Sequence, residues 1–309
     1  MTNYIESLKK ELNKKHFSEV EKLDILRDHE EMIKEALADG LEEKDLEKRF
    51  GSPEQVVREL EHETEEEQPS SASDVFTPDA DHFKVTVGLV NEDFNLHVGS
   101  DDQVHVSFSK EKTRDHYEVI FEQNHLIIRK KKSFNLLFSS KSDDQTITLT
   151  VPRHIEIHTF KFDVVNGDAD IKDISMKDAS LNLVNGDVKI SNLSIDQLSL
   201  HTVGSDITLN QLSLTDGHVS QVSGDLNGYA VYILHDLSIS TVSGDVSLEK
   251  VTCDQFSINT VSGDVDGKEF YPKSIRYESV SGDVNINNQE KDQIKIVKSS
   301  SLSGDISIN

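Results

Sequence analysis

From residue 162 onward the chain repeats one short motif eight times, Val-Ser-Gly-Asp or a near copy, and this repetition constrains the fold more than any other feature. The copies end on Asp168, Asp187, Asp206, Asp225, Asp245, Asp264, Asp283 and Asp305, so successive spacings are 19, 19, 19, 20, 19, 19 and 22 residues. Three residues before the aspartate stands Val in seven copies and Leu302 in the eighth. One residue after it stand Ala169, Val188, Ile207, Leu226, Val246, Val265, Val284 and Ile306. A third apolar column lies six residues before, from Phe162 through Tyr277, and fails only at Ser299. Such a period predicts a β-helix, whose coils stack at about 4.8 Å so that like positions form ladders. Propeller blades need about twice the length. All three columns are expected to face the interior. The glycine supplies turn backbone that other residues resist. In the copy Val203-Gly204-Ser205-Asp206 the glycine comes one place early, so that turn is expected to differ.

Before the repeats, residues 83–161 already alternate apolar and polar positions, as in Phe83, Val85, Val87 and Leu89, then Val104, Val106 and Phe108, then Ile147, Leu149 and Val151. Period two over many short runs predicts strands, and this stretch is expected to start and cap the solenoid. Residues 1–63 instead carry helical spacing. Tyr4, Ile5, Leu8 and Leu12 form one face, and Ser18 with Glu21 fits a capping box before the stripe Val20, Leu23, Leu26, Ile33 and Leu37, ended by Gly40. A short helix over Leu41–Phe50 closes at Gly51, and Ser52-Pro53-Glu54-Gln55 offers an N-cap, a first-turn proline and a second capping box. Between the two regions, residues 64–82 hold Glu65-Glu66-Glu67, several serines and two prolines, the composition of a linker. The expected architecture is therefore α+β in two domains: a small all-α four-helix bundle (1–63), a linker (64–82), a β-rich region (83–161) and an all-β, single-stranded β-helix of eight repeats (162–309). The crossover rule for parallel strands favours a right-handed coil.

Charge narrows the function. With 57 acidic against 32 basic residues the net charge is −25, which argues against nucleic acid as a partner. The helical region shares this balance, with 21 acidic and 11 basic residues through Glu67. The single cysteine, Cys253, cannot make an intramolecular disulfide. Residues 1–16 show no apolar signal-peptide core, and no run of eighteen apolar residues exists. A cytoplasmic protein is expected, with peripheral membrane association or a surface location by a route without a signal peptide as the alternatives.

At this point the residues resemble a known group, the bacterial adhesin-like proteins of β-strand repeats with VSGDV-type motifs, including the LiaX and YvlB types. Tyr4 to Leu12, Asp28 to Gly40 and the Phe50-Gly51-Ser52-Pro53 junction resemble the small helical domain of HAAS type that precedes such repeats. The resemblance implies a binding or regulatory role in cell-envelope stress, and it carries over no catalytic residue and no cofactor.

Candidate chemistry is sparse. Asp187, Asp206, Asp225, Asp245, Asp264 and Asp283 form a carboxylate ladder whose neighbours repel by roughly 1–3 kcal/mol at about 4.8 Å. Turn N–H groups in Asx-type arrangements are the expected compensation. Calcium between coils is the weaker alternative, because it needs six to eight oxygens. A glycan-cleaving enzyme needs clustered acidic and basic groups, yet Arg276 is the only arginine after residue 161, and His201, His218 and His235 fall at different phases of the repeat. His154, Glu156 and His158 would share one strand face, with the two histidines about 13 Å apart, too far for one ion. Cys253, eleven residues before Asp264, has no ladder of like partners in this reading. The one basic run, Arg129-Lys130-Lys131-Lys132 followed by Phe134 and Phe138, is a candidate contact for an anionic membrane surface. The last coil would expose unpaired backbone and could pair end to end with another copy. The expected function is a non-catalytic scaffold that binds a protein through its helical region. A cell-surface adhesin is the alternative, and a glycan-active β-helix enzyme ranks behind both.

Overall fold

The computed structural model describes residues 3–15, 19–38, 41–62, 73–131, 145–288 and 293–309. The chain divides into a helical unit and a β unit.

In the helical unit, α1 spans Asn3–Leu12, α2 Glu19–Ala38, α3 Leu46–Phe50 and α4 Pro53–His62. Tyr4, Ile5, Leu8 and Leu12 of α1 pack with Leu26, Ile33, Leu46, Phe50, Val56 and Val57 into one core. The Tyr4 hydroxyl donates to the Gly51 carbonyl at 3.0 Å, fixing α1 to the turn before α4. That turn is a reciprocal capping box: the Gln55 N–H donates to Ser52 Oγ at 3.3 Å and the Ser52 N–H to Gln55 Oε1 at 3.2 Å. Gly51 closes α3 with φ +82°. The expected third helix shrinks, because Glu43–Asp45 forms a 3₁₀ turn and leaves α3 only five residues. The unit is three helices joined by a short turn of helix, not a regular four-helix bundle. Ser18 and Gly40 lie outside the described residues.

The β unit is a solenoid in which parallel strands at one repeat phase stack coil upon coil. Strands β8 (Ile157–Asn166) and β9 (Ala169–Lys172) form one coil, on which β10 (Ser175–Asn185), β11 (Val188–Gly204) and β12 (Ile207–Ser223) follow in register. The stack continues through β13 (Leu226–Ile233), β14 (Asp236–Thr241), β15 (Val246–Ser262), β16 (Val265–Ser281), β17 (Val284–Asn287), β18 (Lys295–Ser303) and β19 (Ile306–Ile308). From β8 to β16 the registered pairs bridge residues one repeat apart, as in Leu181 with Leu200 and Leu200 with Val219, whereas β16 and β18 shift register between Ile275 and Arg276. The constant period has this physical origin.

Residues 83–161 supply two further coils, in an order the sequence conceals. Strands β2 (Phe83–Leu89) and β3 (Asp93–Val98) make one, and β6 (His125–Lys130) with β7 (Thr146–Val151) make the other. β2 lies between β6 and β8, and β3 between β7 and β9. The chain thus lays down the second coil before the first, then steps across it through residues 152–156. Three antiparallel strands close this end: β1 (Ser73–Phe76) on β4 (Val104–Phe108), β4 on β7, and β5 (Tyr117–Glu122) on β6.

Six successive coils bend at the motif and again five residues after its aspartate, where Asp173, Asn192, Gln211, Ala230, Lys250 and Glu269 hold left-handed φ between +50° and +62°. The column after the aspartate is buried from Ala169 to Val284 and partly buried at Ile306, and the column six before it is buried from Phe162 to Tyr277 but exposed at Ser299. The column three before it is not. Val165, Val184, Val203, Val222, Val242, Val261 and Val280 are 41–47% exposed, and Leu302 is 85% exposed. Strand parity explains the correction. With position −6 inside, period two turns −4 inward and −3 outward. The inward −4 column reads Val164, Leu183, Thr202, Gln221, Thr241, Thr260, and its polar members disguise it as an outer position.

A candidate binding edge on the solenoid

The motif places three ladders side by side along one edge, and each can be built from its residues. The innermost is glycine. Gly167, Gly186, Gly224, Gly244, Gly263, Gly282 and Gly304 have φ from +105° to +143°. A Cβ there would also lie 1.9–2.3 Å from a backbone carbonyl oxygen of the preceding coil. Stacking, as much as turn geometry, demands glycine. The copy with Gly204-Ser205 does differ: Ser205 occupies the glycine phase, 2% exposed and outside the left-handed region.

Beside the glycines run the aspartates, all exposed except for the half-buried Asp93. Their carboxylates do not close Asx turns. Each Oδ1 accepts the N–H of the aspartate one coil further on, at 2.8–3.2 Å from Asp168 through Asp305. The ladder begins earlier than the motif suggests, because Asp93 Oδ1 accepts the Asp168 N–H at 2.9 Å. Val90-Asn91-Glu92-Asp93 is a ninth copy without glycine, and its Val-Asn-x-Asp signal was readable once the copies Val165-Asn166-Gly167-Asp168 and Val184-Asn185-Gly186-Asp187 were known. One donor per carboxylate, aligned along the stack, offsets part of the repulsion between rungs. The outermost ladder is the exposed valine row.

At the glycine phase of that ninth copy sits Glu92, buried to 3% of its side chain. Its Oε1 accepts from Lys130 Nζ at 2.5 Å and from the Tyr117 hydroxyl at 2.7 Å, and its Oε2 accepts the N–H groups of Val90 at 2.7 Å and Asn91 at 3.0 Å. Burial pushes the Glu92 carboxyl up, but hydrogen bonds from Lys130, Val90 and Tyr117 outweigh it and hold it below the usual carboxylate range. Burial, reinforced by the Glu92 carboxylate, raises the Tyr117 phenol. Sequence reasoning missed this cluster because its members lie 25 and 38 residues from Glu92.

The remaining candidates disperse. In the basic run, Arg129 Nε pairs with Glu118 at 2.6 Å, Lys130 is held by Glu92, and Lys131 Nζ donates to the Asp115 carbonyl at 2.6 Å. Lys132, Phe134 and Phe138 lie outside the described residues. The His154-x-Glu156-x-His158 segment is not one strand, because β8 begins only at Ile157. His154 faces Asp102 at 3.8 Å, Glu156 faces Lys177 at 3.8 Å, and His158 lies against the His82 ring at 4.8 Å. His201 and His218 approach to 5.7 Å on adjacent coils. Among the described residues no three His, Cys, Asp or Glu side chains converge as metal ligands, and no helix is long and apolar enough to cross a membrane. Cys253 does have ladder partners, correcting the sequence reading: its phase is the inward column of Met176, Ile195, Leu214 and Pro272. Burial pushes its thiol up to about 12.

A helical unit followed by a β-solenoid whose repeats present ladders instead of a convergent polar site defines a repeat protein of the β-helix class. The model of the Toastrack DUF4097 family matches residues 74–248 and 219–309, and the chain belongs to that family. The HAAS model matches residues 3–59. Among solved structures, a putative adhesin from Bacteroides fragilis is similar at 15% identity and a TM-score of 0.50, covering 78% of this chain and 98% of its own. A putative lipid binding protein and a putative adhesin, both from Parabacteroides distasonis, are similar at 15% identity over the same shares, with TM-scores of 0.42 and 0.43. No curated protein matches.

Proposed function

We propose that the protein is a non-catalytic binding scaffold in bacterial cell-envelope stress signalling, holding a protein partner through its helical unit and an envelope component or second protein along the solenoid. The carrying observation is the edge of aligned glycines, aspartates and half-exposed valines, which repeats one surface over eight coils and gathers no acid–base pair. Extended repeated surfaces of this kind suit recognition of long or multivalent partners. The pairing of HAAS and Toastrack regions supports the signalling role through the resemblance to LiaX-type proteins, a family-level warrant.

Crosslinked capture of the full-length chain from growing bacteria, with and without an envelope-active antibiotic, tests the proposal. An envelope sensor or regulator recovered from the membrane fraction supports it; a chain that stays alone in both conditions overturns it. The adhesin reading draws on the fold shared with the Bacteroides fragilis protein. Protease added to intact cells separates the two, since a surface adhesin is cleaved and an internal scaffold is not.

A further inference from the structure

The valine row is not needed by the core. Valine at a single exposed position is ordinary, but seven in register from Val165 to Val280, at about 4.8 Å per coil, make a continuous apolar strip roughly 29 Å long. The outward column two residues earlier shows what this surface otherwise holds: Asp163, Asn182, His201, Ser220, Ser240 and Asn259. Three residues beyond the valines stand the exposed aspartates, which carry one carboxylate per coil along the same edge.

Charge decides among occupants. Anionic lipid headgroups and nucleic acid are repelled by the ladder, and a second copy of this edge would bring its own row of carboxylates against it. Period then decides the shape. A helix presents like residues every 5.4 Å, so it drifts by about 0.6 Å per coil and keeps step for about four turns, or roughly 14 residues. An extended strand repeats at about 6.7 Å and falls out of step after one rung. We propose that this edge docks a basic amphipathic helix of a protein partner, with its aliphatic stripe along the valines and its Lys or Arg residues over the aspartates. The inference rests on the binding reading above and names the surface and the chemistry of its partner.

The test uses the full-length protein and a labelled, 14-residue synthetic helix with a leucine stripe flanked by lysines. Fluorescence anisotropy is measured against salt. Wild type is expected to bind, with affinity falling as salt rises. Combined Val203→Thr, Val222→Thr, Val242→Thr and Val261→Thr keeps β-branched side chains and is expected to weaken binding at least tenfold. Combined Asp206→Asn, Asp225→Asn, Asp245→Asn and Asp264→Asn keeps the Oδ1 acceptors and is expected to remove most of the salt dependence. Doubling the helix to 28 residues is expected to gain less than threefold. Val222→Lys with Val242→Lys provides a second pair that abolishes binding while the far-ultraviolet spectrum stays unchanged. Equal binding by the threonine variant would expose mere attraction to an acidic protein and overturn the proposal, as would no binding by wild type. A partner still captured from cells in that case would leave the scaffold reading standing and the edge without its role.

Discussion

At the scale of single residues, the motif separates two uses of left-handed backbone. Where a glycine stands beside the aspartate it is held there by φ and by contact, since Gly244 approaches the Gly224 carbonyl so closely that a Cβ would lie 1.9 Å from its oxygen. Gly244→Ala is expected to cost about 3 kcal/mol or more, read as a lower urea midpoint at constant slope. Five residues past the aspartate, positive φ is carried by ordinary side chains, at +50° to +62°. Ala230, at φ +54°, carries the cost of a left-handed L-residue. Asn192 holds the equivalent place one coil pair away. Ala230→Asn is therefore expected to stabilise by about 0.5–1 kcal/mol, and an unchanged or lower midpoint would count against the assignment of strain to this corner.

At the scale of elements, the Glu92 cluster ties the β2–β3 turn to β5 and β6 through Tyr117 and Lys130. Its carboxyl is held below the usual range, so the native state favours the ionised form. That contribution is fully present above the ordinary carboxylate value of about 4.3 and is lost as pH falls through the lowered native value. Glu92→Gln is expected to cost about 2–3 kcal/mol at pH 7, because it leaves Lys130 partly buried without its counter-charge, and to flatten the loss of stability as pH falls below the ordinary carboxylate value. A variant whose acid unfolding follows the wild-type curve would remove Glu92 from this role. The elements were unevenly legible. The coils from β8 onward follow from the repeat itself, because identical register turns sequence period directly into pairing. The Ser52–Gln55 capping box was equally plain, being local. The exposure of the valine column is hidden because Thr202, Gln221, Thr241 and Thr260 disguise the inward phase beside it, and the period-two pattern that marks β7 as a strand does not place β6 and β7 beside β2 and β3, which depends on contacts about 40 or more residues apart.

At the scale of the whole molecule, stability in a solenoid is a sum over nearest-neighbour coils. β11, β12, β15 and β16 have coils on both sides, whereas β18 pairs with β16 alone and all nine of its residues are exposed. Amide exchange is expected to be slowest in the central strands and to begin at β18; uniform protection along the stack would show that the solenoid opens as one unit. The opposite end behaves differently, because β2 and β3 are enclosed between coils that come later in the chain. Seen as a history, this makes length and origin separate properties. A duplicated stretch of nineteen residues anywhere beyond β10 inserts one more rung and disturbs nothing before it, whereas the same duplication within the first two coils would have to rethread the step between them. Growth by tandem copying is open on one side of the molecule only, and a lengthened descendant would differ in reach while keeping its beginning.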